Sequence, residues 1–362
     1  MVQRIGVNAL YLIPGGVGGT EIYLRCLLAA LAEVDAVNQY AIYTNLETGA
    51  DLVPATASNF LVTPLPVRAS SRPARIFYEQ FQLPGRVRRD RIDVLLNPGF
   101  TAPAFSPCPQ VTVIHDLQHK RHPEYFRWFD LPFWRLLVWA AVRRSQRLIA
   151  VSEATRADLL TYYNVPADQV TVVEHGVDDR FFALARERTR VEPFLLCVST
   201  LHPHKNIERL VRVFARLLAR HPDLRLVLAG MKGLQTSPVE ALITSLGLTA
   251  KVELTGWIPR EQLYDYFRRA AAFVYPSTFE GFGMPVVEAL AAEVPLACSD
   301  IEPLRSIVRD AAWLFNPEDE AGMERAIERL LTGEPPGGPN PAREYSWNTA
   351  AQATLRALRS VL

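Results

Sequence analysis

Short β-branched and apolar runs alternate with longer helix-period segments along almost the whole chain, and this alternation limits the possible folds most strongly. The pattern is typical of parallel sheets whose strands are joined by crossover helices. In the first half, the predicted strands are Ile5–Tyr11, Tyr40–Thr44, Asp93–Leu96, Val111–Ile114, Arg147–Val151 and Val170–Val173. In the second half, they are Phe194–Val198, Leu224–Ala229, Val252–Leu254, Ala272–Tyr275, Leu296–Ser299 and Ala312–Phe315. The sequence therefore predicts an α/β protein.

The clearest helical patterns cover Glu21–Leu31 and the segment after Ser152, whose hydroxyl can cap that helix. A loop rich in proline and glycine, residues 333–341, ends the second series, and a helix over Trp347–Leu362 follows it. At 362 residues the chain exceeds one typical domain of roughly 150 residues. The charged segment Arg180–Glu192 is the best linker candidate. We expect two doubly wound domains, residues 1–186 and 187–345, and a last helical segment, residues 346–362.

Composition excludes several classes of protein. The net charge of +1 argues against a general nucleic-acid binder, which carries a large basic excess. The four cysteines show no metal-ligand spacing, and the N-terminus does not have the pattern of a signal peptide. The most apolar internal stretch, Leu131–Val142, is shorter than the roughly 20 residues of a membrane span and contains Arg135. These features predict a cytoplasmic protein without a transmembrane helix.

A glycine-rich turn, PGGVGGTE (Pro14–Glu21), follows the first predicted strand and precedes a helix. Backbone amides at such a turn can approach a phosphate, although a tight strand-to-helix turn without a ligand explains the sequence equally well. Glu21 occupies the third glycine position of the dinucleotide fingerprint. This departure argues against a Rossmann dehydrogenase.

The sharpest local signal is PSTFEGFGMPVVEALAAEVP (Pro276–Pro295), where a strand ends, a turn with glycines follows, and Pro285 suits the first turn of a helix. Glu280 and Glu288 bracket that helix start. Carboxylates accept hydrogen bonds from hydroxyls, which suits a sugar and a ribose, while the helix N-terminus suits a phosphate. The simpler alternative makes Glu288 a solvated helix residue and Glu280 a cap.

These residues resemble the motif of two glutamates separated by seven residues in the retaining glycosyltransferases of family four. The similarity continues, in order and spacing, through PGGVGGTE, VIHDL (Val113–Leu117), AVSEATRADL (Ala150–Leu159), VVEHGVD (Val172–Asp178), VSTLHPHKN (Val198–Asn206) and LTGWIP (Leu254–Pro259). The resemblance implies the GT-B fold, in which two Rossmann-like domains face a central cleft. The N-terminal domain then binds the acceptor, the C-terminal domain binds the nucleotide-sugar donor, and the last helix crosses back.

The resemblance also assigns roles to individual residues. It places Lys205 at the donor diphosphate, where an ammonium neutralises the departing nucleotide, with Glu280 on the sugar and Glu288 on the ribose. The implied catalytic residues are His115, Lys205 and Glu280. The implied donor-binding residues are Gly18, Gly19, Ser199, Gly230, Ile258, Phe282, Gly283, Met284 and Glu288.

His115 ends an apolar strand and precedes Asp116, at the sheet edge where open α/β proteins bind ligands. The resemblance implies that this histidine faces the donor sugar near its reacting carbon. A base, an orienting group and a contact to a sugar hydroxyl all remain open as its role, and Asp116 is a candidate for fixing its tautomer.

Two features set expectations about charge at the diphosphate. Ser199-Thr200 stands where many family members have Gly-Arg, so Lys205 has to supply more of the neutralisation. The chain contains no Asp-x-Asp triplet, so we expect transfer without a metal ion or another cofactor. A GT-B binding module without activity is the rival interpretation, against which the intact set His115, Lys205, Glu280 and Glu288 argues.

The acceptor side carries a basic, aromatic signal. Seven arginines between Arg68 and Arg91 alternate with aromatic residues, and the stretch His122–Arg144 adds more of both kinds. A membrane-surface face that meets lipid-linked acceptors at the inner face of the plasma membrane fits this pattern. A solvated basic helix with an amphipathic core helix fits it equally well. For the donor, STLHPHKN resembles mannosyltransferases, so GDP-mannose is the first expectation, and a UDP-sugar with a small-molecule acceptor is the alternative.

Overall fold

The computed structural model describes residues 2–362, and the chain forms two compact units. The first unit comprises the chain up to Gly176 together with Ser346–Leu362, and the second comprises Val177–Tyr345. The division therefore lies before the boundary expected at residue 186.

The first unit contains a parallel sheet of seven strands in the order β3-β2-β1-β4-β5-β6-β7. The strands are β1 (Arg4–Asn8), β2 (Gln39–Thr44), β3 (Phe60–Pro64), β4 (Val94–Asn97), β5 (Gln110–Ile114), β6 (Arg147–Ala150) and β7 (Val170–Val172). The strand order reverses between β1 and β4. In sheets of this kind, ligands bind beyond the carboxyl ends of the strands at that point.

Helices cover the sheet of the first unit. They are α1 (Gly19–Val34), α2 (Arg72–Phe77), α3 (Leu83–Arg89), α4 (Gln118–Arg121), α5 (Leu131–Arg144), α6 (Glu153–Tyr163) and the last helix (Trp347–Arg359), with a π-helical turn at Tyr78–Gln82. The last helix packs against α1, and α5 and α6 bury Val138, Val142 and Leu159 in one cluster with residues of β5 and β6. Every residue of β4 and β5 is buried, as in parallel sheets that are covered on both faces.

The second unit repeats this architecture with six parallel strands in the order β10-β9-β8-β11-β12-β13. The strands are β8 (Glu192–Val198), β9 (Arg225–Ala229), β10 (Val252–Gly256), β11 (Ala270–Tyr275), β12 (Leu296–Ser299) and β13 (Trp313–Phe315). The helices are α7 (Asp179–Glu187), α8 (Ile207–Leu217), α9 (Thr236–Ser245), α10 (Arg260–Arg269), α11 (Met284–Ala291), α12 (Leu304–Val308) and α13 (Glu320–Leu331). Here the order reverses between β8 and β11. The predicted α/β class with two Rossmann-like units is confirmed.

The expected linker at 180–192 is wrong for most of its length, because α7 occupies residues 179–187. The Asp178 carboxylate accepts a hydrogen bond from the Arg180 amide at 3.0 Å and so caps this helix. Phe181 and Leu184, one turn apart among charged neighbours, are buried and anchor the helix in the second unit. The charged composition of this segment predicts a linker, but its N-terminal cap and two buried side chains stabilise a short helix.

Candidate functional site

Lys205 and Glu280 form an ion pair in the second unit. Lys205 lies in the loop after β8 and Glu280 in the loop after β11, the two strands between which the order reverses. The ammonium Nζ is 2.6 Å from the Glu280 Oε1 atom and donates a second hydrogen bond, at 3.1 Å, to the Tyr275 hydroxyl. Both charged side chains are largely shielded from solvent, so their attraction is weakly screened. The pair fixes an ammonium and a carboxylate side by side at the ligand-binding edge of this sheet.

Asn206 holds these two loops together. Its side-chain amide donates to the Pro276 carbonyl at 3.0 Å and to the Pro317 carbonyl at 2.9 Å. The backbone amide of Thr278 donates to the His204 carbonyl at 2.7 Å. The loops that carry Lys205 and Glu280 are therefore cross-linked by hydrogen bonds, which fixes the distance between the two side chains.

The start of α11 provides a second polar feature at this edge. Gly283 precedes the helix with φ of 112°, a conformation that favours glycine, and a Cβ there would lie 2.5 Å from Leu304 Cδ2. Phe282 is buried with its ring edge against Tyr345, and Met284 is the first helical residue. Pro285 lies in the first turn, as predicted. The free amides of such a helix start suit a phosphate or a hydroxyl oxygen.

Glu288, on α11, is a buried carboxyl at 6% exposure rather than a solvated helix residue. Arg260 donates to its Oε1 atom at 3.3 Å. Arg260 also lies 3.5 Å from the Asp178 carboxylate, which accepts a 2.5 Å hydrogen bond from the Tyr264 hydroxyl. Burial raises the pKa of Glu288 to about 7, with Arg260 opposing the rise and Asp178 adding to it. Glu288 therefore titrates near neutral pH, and a hydroxyl that donates to it favours its ionised form.

Gly230 and Ser199 meet at the ends of β9 and β8. A Cβ on Gly230 would lie 2.1 Å from the Ser199 carbonyl oxygen, and its φ is 149°. Only glycine fits this approach of two backbones. Ile258 is half-buried in the turn between β10 and α10, two residues before Arg260. These residues line the same sheet edge as the Lys205 loop.

In the first unit, the glycine-rich turn joins β1 to α1. Gly18 has φ of 59° and precedes the helix, whose first residue is Gly19. Glu21 Oε2 accepts a 2.8 Å hydrogen bond from the Gly15 amide, and Glu21 Oε1 accepts one from Arg25 at 2.9 Å. The carboxylate thus closes the turn by its own hydrogen bonds, which explains why a glutamate replaces the third glycine.

His115 follows β5 and is buried. Its Nε2 atom donates to the Pro98 carbonyl at 2.8 Å, since a carbonyl oxygen only accepts, and Nδ1 is thereby left as the acceptor of the neutral ring. Tyr23 packs edge-on against the imidazole, and Phe100, with a left-handed φ of 68°, also contacts it. Burial lowers the pKa of His115 to about 4. Pro98 therefore fixes the tautomer, while the Asp116 carboxylate accepts from the Gln118 amide at 2.9 Å.

The predicted site residues divide between the two units. Gly18, Gly19 and His115 lie in the first unit, and the remaining predicted residues lie at one sheet edge of the second. Sequence reasoning missed Tyr275, Asn206 and Arg260. The first two carry local signals, an apolar strand end and an asparagine before a helix. Arg260 carries none, because it meets Glu288 only through the tertiary fold.

Within residues 2–362, no group of three or more histidine, cysteine, aspartate or glutamate side chains has a metal-binding arrangement. Over the same range, no helix combines the length and the apolar character that a bilayer crossing requires.

A patch of exposed apolar side chains lies on and before α5. Trp128 is 84% exposed, and Phe129, Phe133, Leu136 and Trp139 are at least 45% exposed. We call these five residues the aromatic surface. Arg127, Arg143 and Arg144 flank them and are exposed as well. Large exposed aromatic groups with neighbouring cations mark an interaction surface rather than ordinary solvent-facing residues.

Comparisons with known proteins cover both units. The family model described as glycosyl transferases group 1 matches residues 183–350, and the model described as glycosyltransferase family 4 matches residues 17–181. O-antigen chain mannosyltransferase B of Escherichia coli is 24% identical over 266 residues, which are 69% of this chain and 70% of that protein. O-antigen chain mannosyltransferase RfbU of Salmonella typhimurium is 26% identical over 221 residues, 61% of this chain and 60% of that protein. The crystal structure of Anabaena HepE in complex with UDP and glucose has a TM-score of 0.68 at 17% identity and covers 99% of this chain and 95% of that one.

Proposed function

Because the chain belongs to the group 1 glycosyltransferases of family four, and is thus a glycosyltransferase with the GT-B fold, we propose that it transfers a hexose from a nucleotide diphosphate sugar with retention and without a metal ion. The observation that carries the proposal is the buried pair Lys205–Glu280 at the ligand-binding edge of the second sheet, with 2.6 Å between Nζ and Oε1. In this role the ammonium neutralises the departing diphosphate, and the carboxylate accepts hydrogen bonds from sugar hydroxyls.

The other residues of this edge complete the donor site. The amides around Phe282, Gly283 and Met284 meet sugar hydroxyls and phosphate at the start of α11. Glu288 accepts hydrogen bonds from the ribose, and Gly230 and Ile258 line the pocket of the base. Ser199 lies beside the diphosphate. Gly18 and Gly19, at the start of α1 in the first unit, offer backbone amides that suit a sugar-phosphate. Since Thr200 supplies no charge, the diphosphate relies on Lys205 and on the helix start.

His115 acts as an acceptor for a sugar hydroxyl through Nδ1, because Nε2 is bonded to the Pro98 carbonyl and the ring is neutral at neutral pH. This orienting role is favoured over that of a general base, since a pKa near 4 makes the imidazole a poor proton acceptor at pH 7.

We assign mannose from GDP-mannose as the donor and a glycan or lipid-linked acceptor in cell-surface polysaccharide synthesis. The names of the two O-antigen mannosyltransferases support this assignment. A UDP-sugar donor with a small-molecule acceptor is the second candidate, and the UDP and glucose bound by Anabaena HepE favour it.

A thermal unfolding screen over GDP-, UDP- and ADP-sugars tests the donor assignment. A ligand that binds only the folded state raises the unfolding temperature by mass action. GDP-mannose should produce the largest shift, and Lys205→Ala should reduce it. The largest shift with a UDP-sugar would transfer the assignment to the second candidate, and the absence of a shift with every nucleotide sugar would refute the donor site.

The acceptor assignment includes contact of the aromatic surface with an anionic lipid bilayer. Tryptophan rings favour the membrane interface, and the flanking arginines complement anionic headgroups. The protein should sediment with phosphatidylglycerol vesicles more than with phosphatidylcholine vesicles, and the paired change Trp128→Ala and Trp139→Ala should reduce that binding. Equal sedimentation of both proteins would refute the contact.

A further inference from the structure

Arg75, in α2 of the first unit, is a largely buried residue whose guanidinium has no acceptor within the part of the protein that the structure describes. The residue is only 9% exposed. Within residues 2–362, no side-chain or carbonyl oxygen accepts a hydrogen bond from its guanidinium, and no carboxylate lies within ion-pair distance. Burial lowers the pKa of Arg75, as expected for a cation removed from water. Buried charges are almost always paired, so this side chain calls for an explanation.

The neighbouring carboxyl of Glu79 does not fill that role. Glu79 is 1% exposed, and its oxygens accept hydrogen bonds from Thr101 Oγ1 at 2.9 Å, Gln80 Nε2 at 3.1 Å and Asn8 Nδ2 at 3.4 Å. Burial raises the pKa of Glu79, while Arg75 and these hydrogen bonds oppose the rise. Glu79 acts on Arg75 as a charge at longer range and leaves the donors of the guanidinium unused.

Arg75 lies at the ligand-binding edge of the first sheet. The Glu79 carboxyl, one turn after Arg75, accepts hydrogen bonds from Asn8 at the end of β1 and from Thr101 beyond β4, which places this stretch beside the carboxyl ends of those two strands. The Tyr11 hydroxyl, in the loop that follows β1, donates to the Thr20 carbonyl at the start of α1. Tyr11 also packs over Gly99, in the turn whose Pro98 carbonyl holds His115. Arg75 and His115 therefore lie at the same edge of the first sheet, in the unit that should bind the acceptor.

A second arginine strengthens the positive field. Arg72 lies one turn earlier on α2 and lowers the pKa of Arg75 by repulsion. Its guanidinium stacks on the Trp134 ring at 5.5 Å and is 3.6 Å from one Asp130 oxygen. The two arginines lie one turn apart on α2, and Arg75 forms no short ion pair, so together they favour a ligand with concentrated negative charge.

We propose that Arg75, with Arg72 at its rim, binds a phosphate group of the acceptor substrate. The planar fork of a guanidinium matches two phosphate oxygens and forms paired charge-assisted hydrogen bonds. The donor diphosphate is assigned mainly to Lys205 and the start of α11 in the second unit, so we assign the anion at Arg75 to the acceptor, and the nucleotide titration below separates the two substrates. The inference rests on the proposed function and narrows its acceptor to a phosphorylated or diphosphate-linked compound.

Calorimetric titration with inorganic pyrophosphate tests the site. Lys205→Ala removes the donor-side cation and leaves the Arg75 site to be measured by itself. Adding Arg75→Met, which keeps the length of the stem and removes the charge, should weaken the remaining binding about ten-fold or more. Arg75→Lys keeps the charge and loses the fork, so it should weaken binding less. Equal pyrophosphate affinity with and without Arg75 would overturn the proposal. Should Arg75→Met fail to fold, unchanged affinity in Arg75→Lys would overturn it as well.

A nucleotide titration separates the acceptor from the donor. Arg75→Met should bind GDP and UDP as tightly as the unmodified chain, whereas Lys205→Ala should bind them more weakly. Weaker nucleotide binding in Arg75→Met would show that the arginine serves the donor and would overturn the acceptor assignment. A third outcome separates the anion site from the proposed function. If the unmodified chain bound neither GDP nor UDP, and Arg75→Met still bound pyrophosphate more weakly than the unmodified chain, the proposed function would be refuted and the anion site would be supported.

Discussion

The ammonium of Lys205 contacts three groups: the Glu280 carboxylate, the Tyr275 hydroxyl and the Tyr275 ring, whose centroid is 5.4 Å away. These contacts hold the charge in place before a ligand arrives. Preorganised charges need no rearrangement when negative charge develops on a leaving group, which is why such groups lower reaction barriers effectively.

Lys205→Ala should therefore lower turnover about 10²-fold or more, because it removes the only basic side chain that the motif assigns to the diphosphate. Tyr275→Phe is the matched control, since it removes one hydrogen bond to Nζ and keeps the charge, and it should cost much less. Steady-state kinetics with varied donor concentration measures both variants. Unchanged turnover in a folded Lys205→Ala protein would remove this lysine from the mechanism.

Glu288 gives donor binding a pH dependence. Its folded-state pKa of about 7 means that the carboxyl is protonated below neutral pH in the free protein. A ribose hydroxyl that donates to it favours the ionised form, so donor affinity should fall as the pH decreases through 7, by up to about ten-fold per pH unit. Above that pH, affinity should be constant. The donor Michaelis constant should be measured from about pH 5.5 to about pH 8.5, roughly one and a half units on either side of the titration. It should rise on the acidic side of pH 7.

The matched variant for this prediction is Glu288→Gln, which keeps the shape and cannot ionise. It should raise the donor Michaelis constant at pH 8 and abolish the further rise of that constant below pH 7, while turnover changes little. If the donor Michaelis constant of Glu288→Gln still rose below pH 7, the titration would belong to another group.

Residues with strong local signals could be predicted from the sequence. Lys205, Glu280 and Gly283 lie in loops that the sequence marks by preceding strands and by glycines and prolines. The structure places those loops together. The contact of Arg260 with Glu288 could not be predicted, because it joins positions from two helices that no short pattern relates. The burial of Arg75 was equally hidden, since an arginine among seven in one segment resembles a solvated residue.

At the scale of elements, the start of α11 depends on the backbone of Gly283. Gly283→Ala forces a side chain into a positive φ and towards Leu304, so it should destabilise the protein by more than the roughly 1 kcal/mol of left-handed strain alone. Gly247→Ala is the control, because Gly247 also has a positive φ of 68° but its Cβ would meet no atom within 4 Å. Denaturant unfolding compares the two variants. Equal losses would show that packing against Leu304 contributes nothing.

Most elements followed from periodicity, and the exceptions have physical causes. The cap at Ser152 is confirmed by the 3.1 Å hydrogen bond from the Thr155 amide. Strand β3 was missed because it lies at the sheet edge, half-exposed and ending at Pro64, so it lacks the apolar run of a buried strand. The sequence predicts a linker in place of α7 because charged residues surround its two buried residues, Phe181 and Leu184.

At the scale of the whole molecule, Lys205 and the helix-start amides are the groups proposed to neutralise the diphosphate, so transfer should not require a divalent cation. Activity should be unchanged in excess EDTA and should not rise when manganese or magnesium is added. Loss of activity in chelator, with recovery on addition of manganese, would refute metal-independent transfer.

Transfer of a hexose from a nucleotide sugar to an acceptor with retention underlies every role assigned above. Proton NMR of the reaction with an α-linked nucleotide sugar tests it, because the anomeric signal of the transferred sugar reports the configuration of the new glycosidic bond. The donor signal should disappear as an α-linked product appears, in step with release of the nucleoside diphosphate. A β-linked first product, or a donor signal that persists with every nucleotide sugar offered, would contradict it.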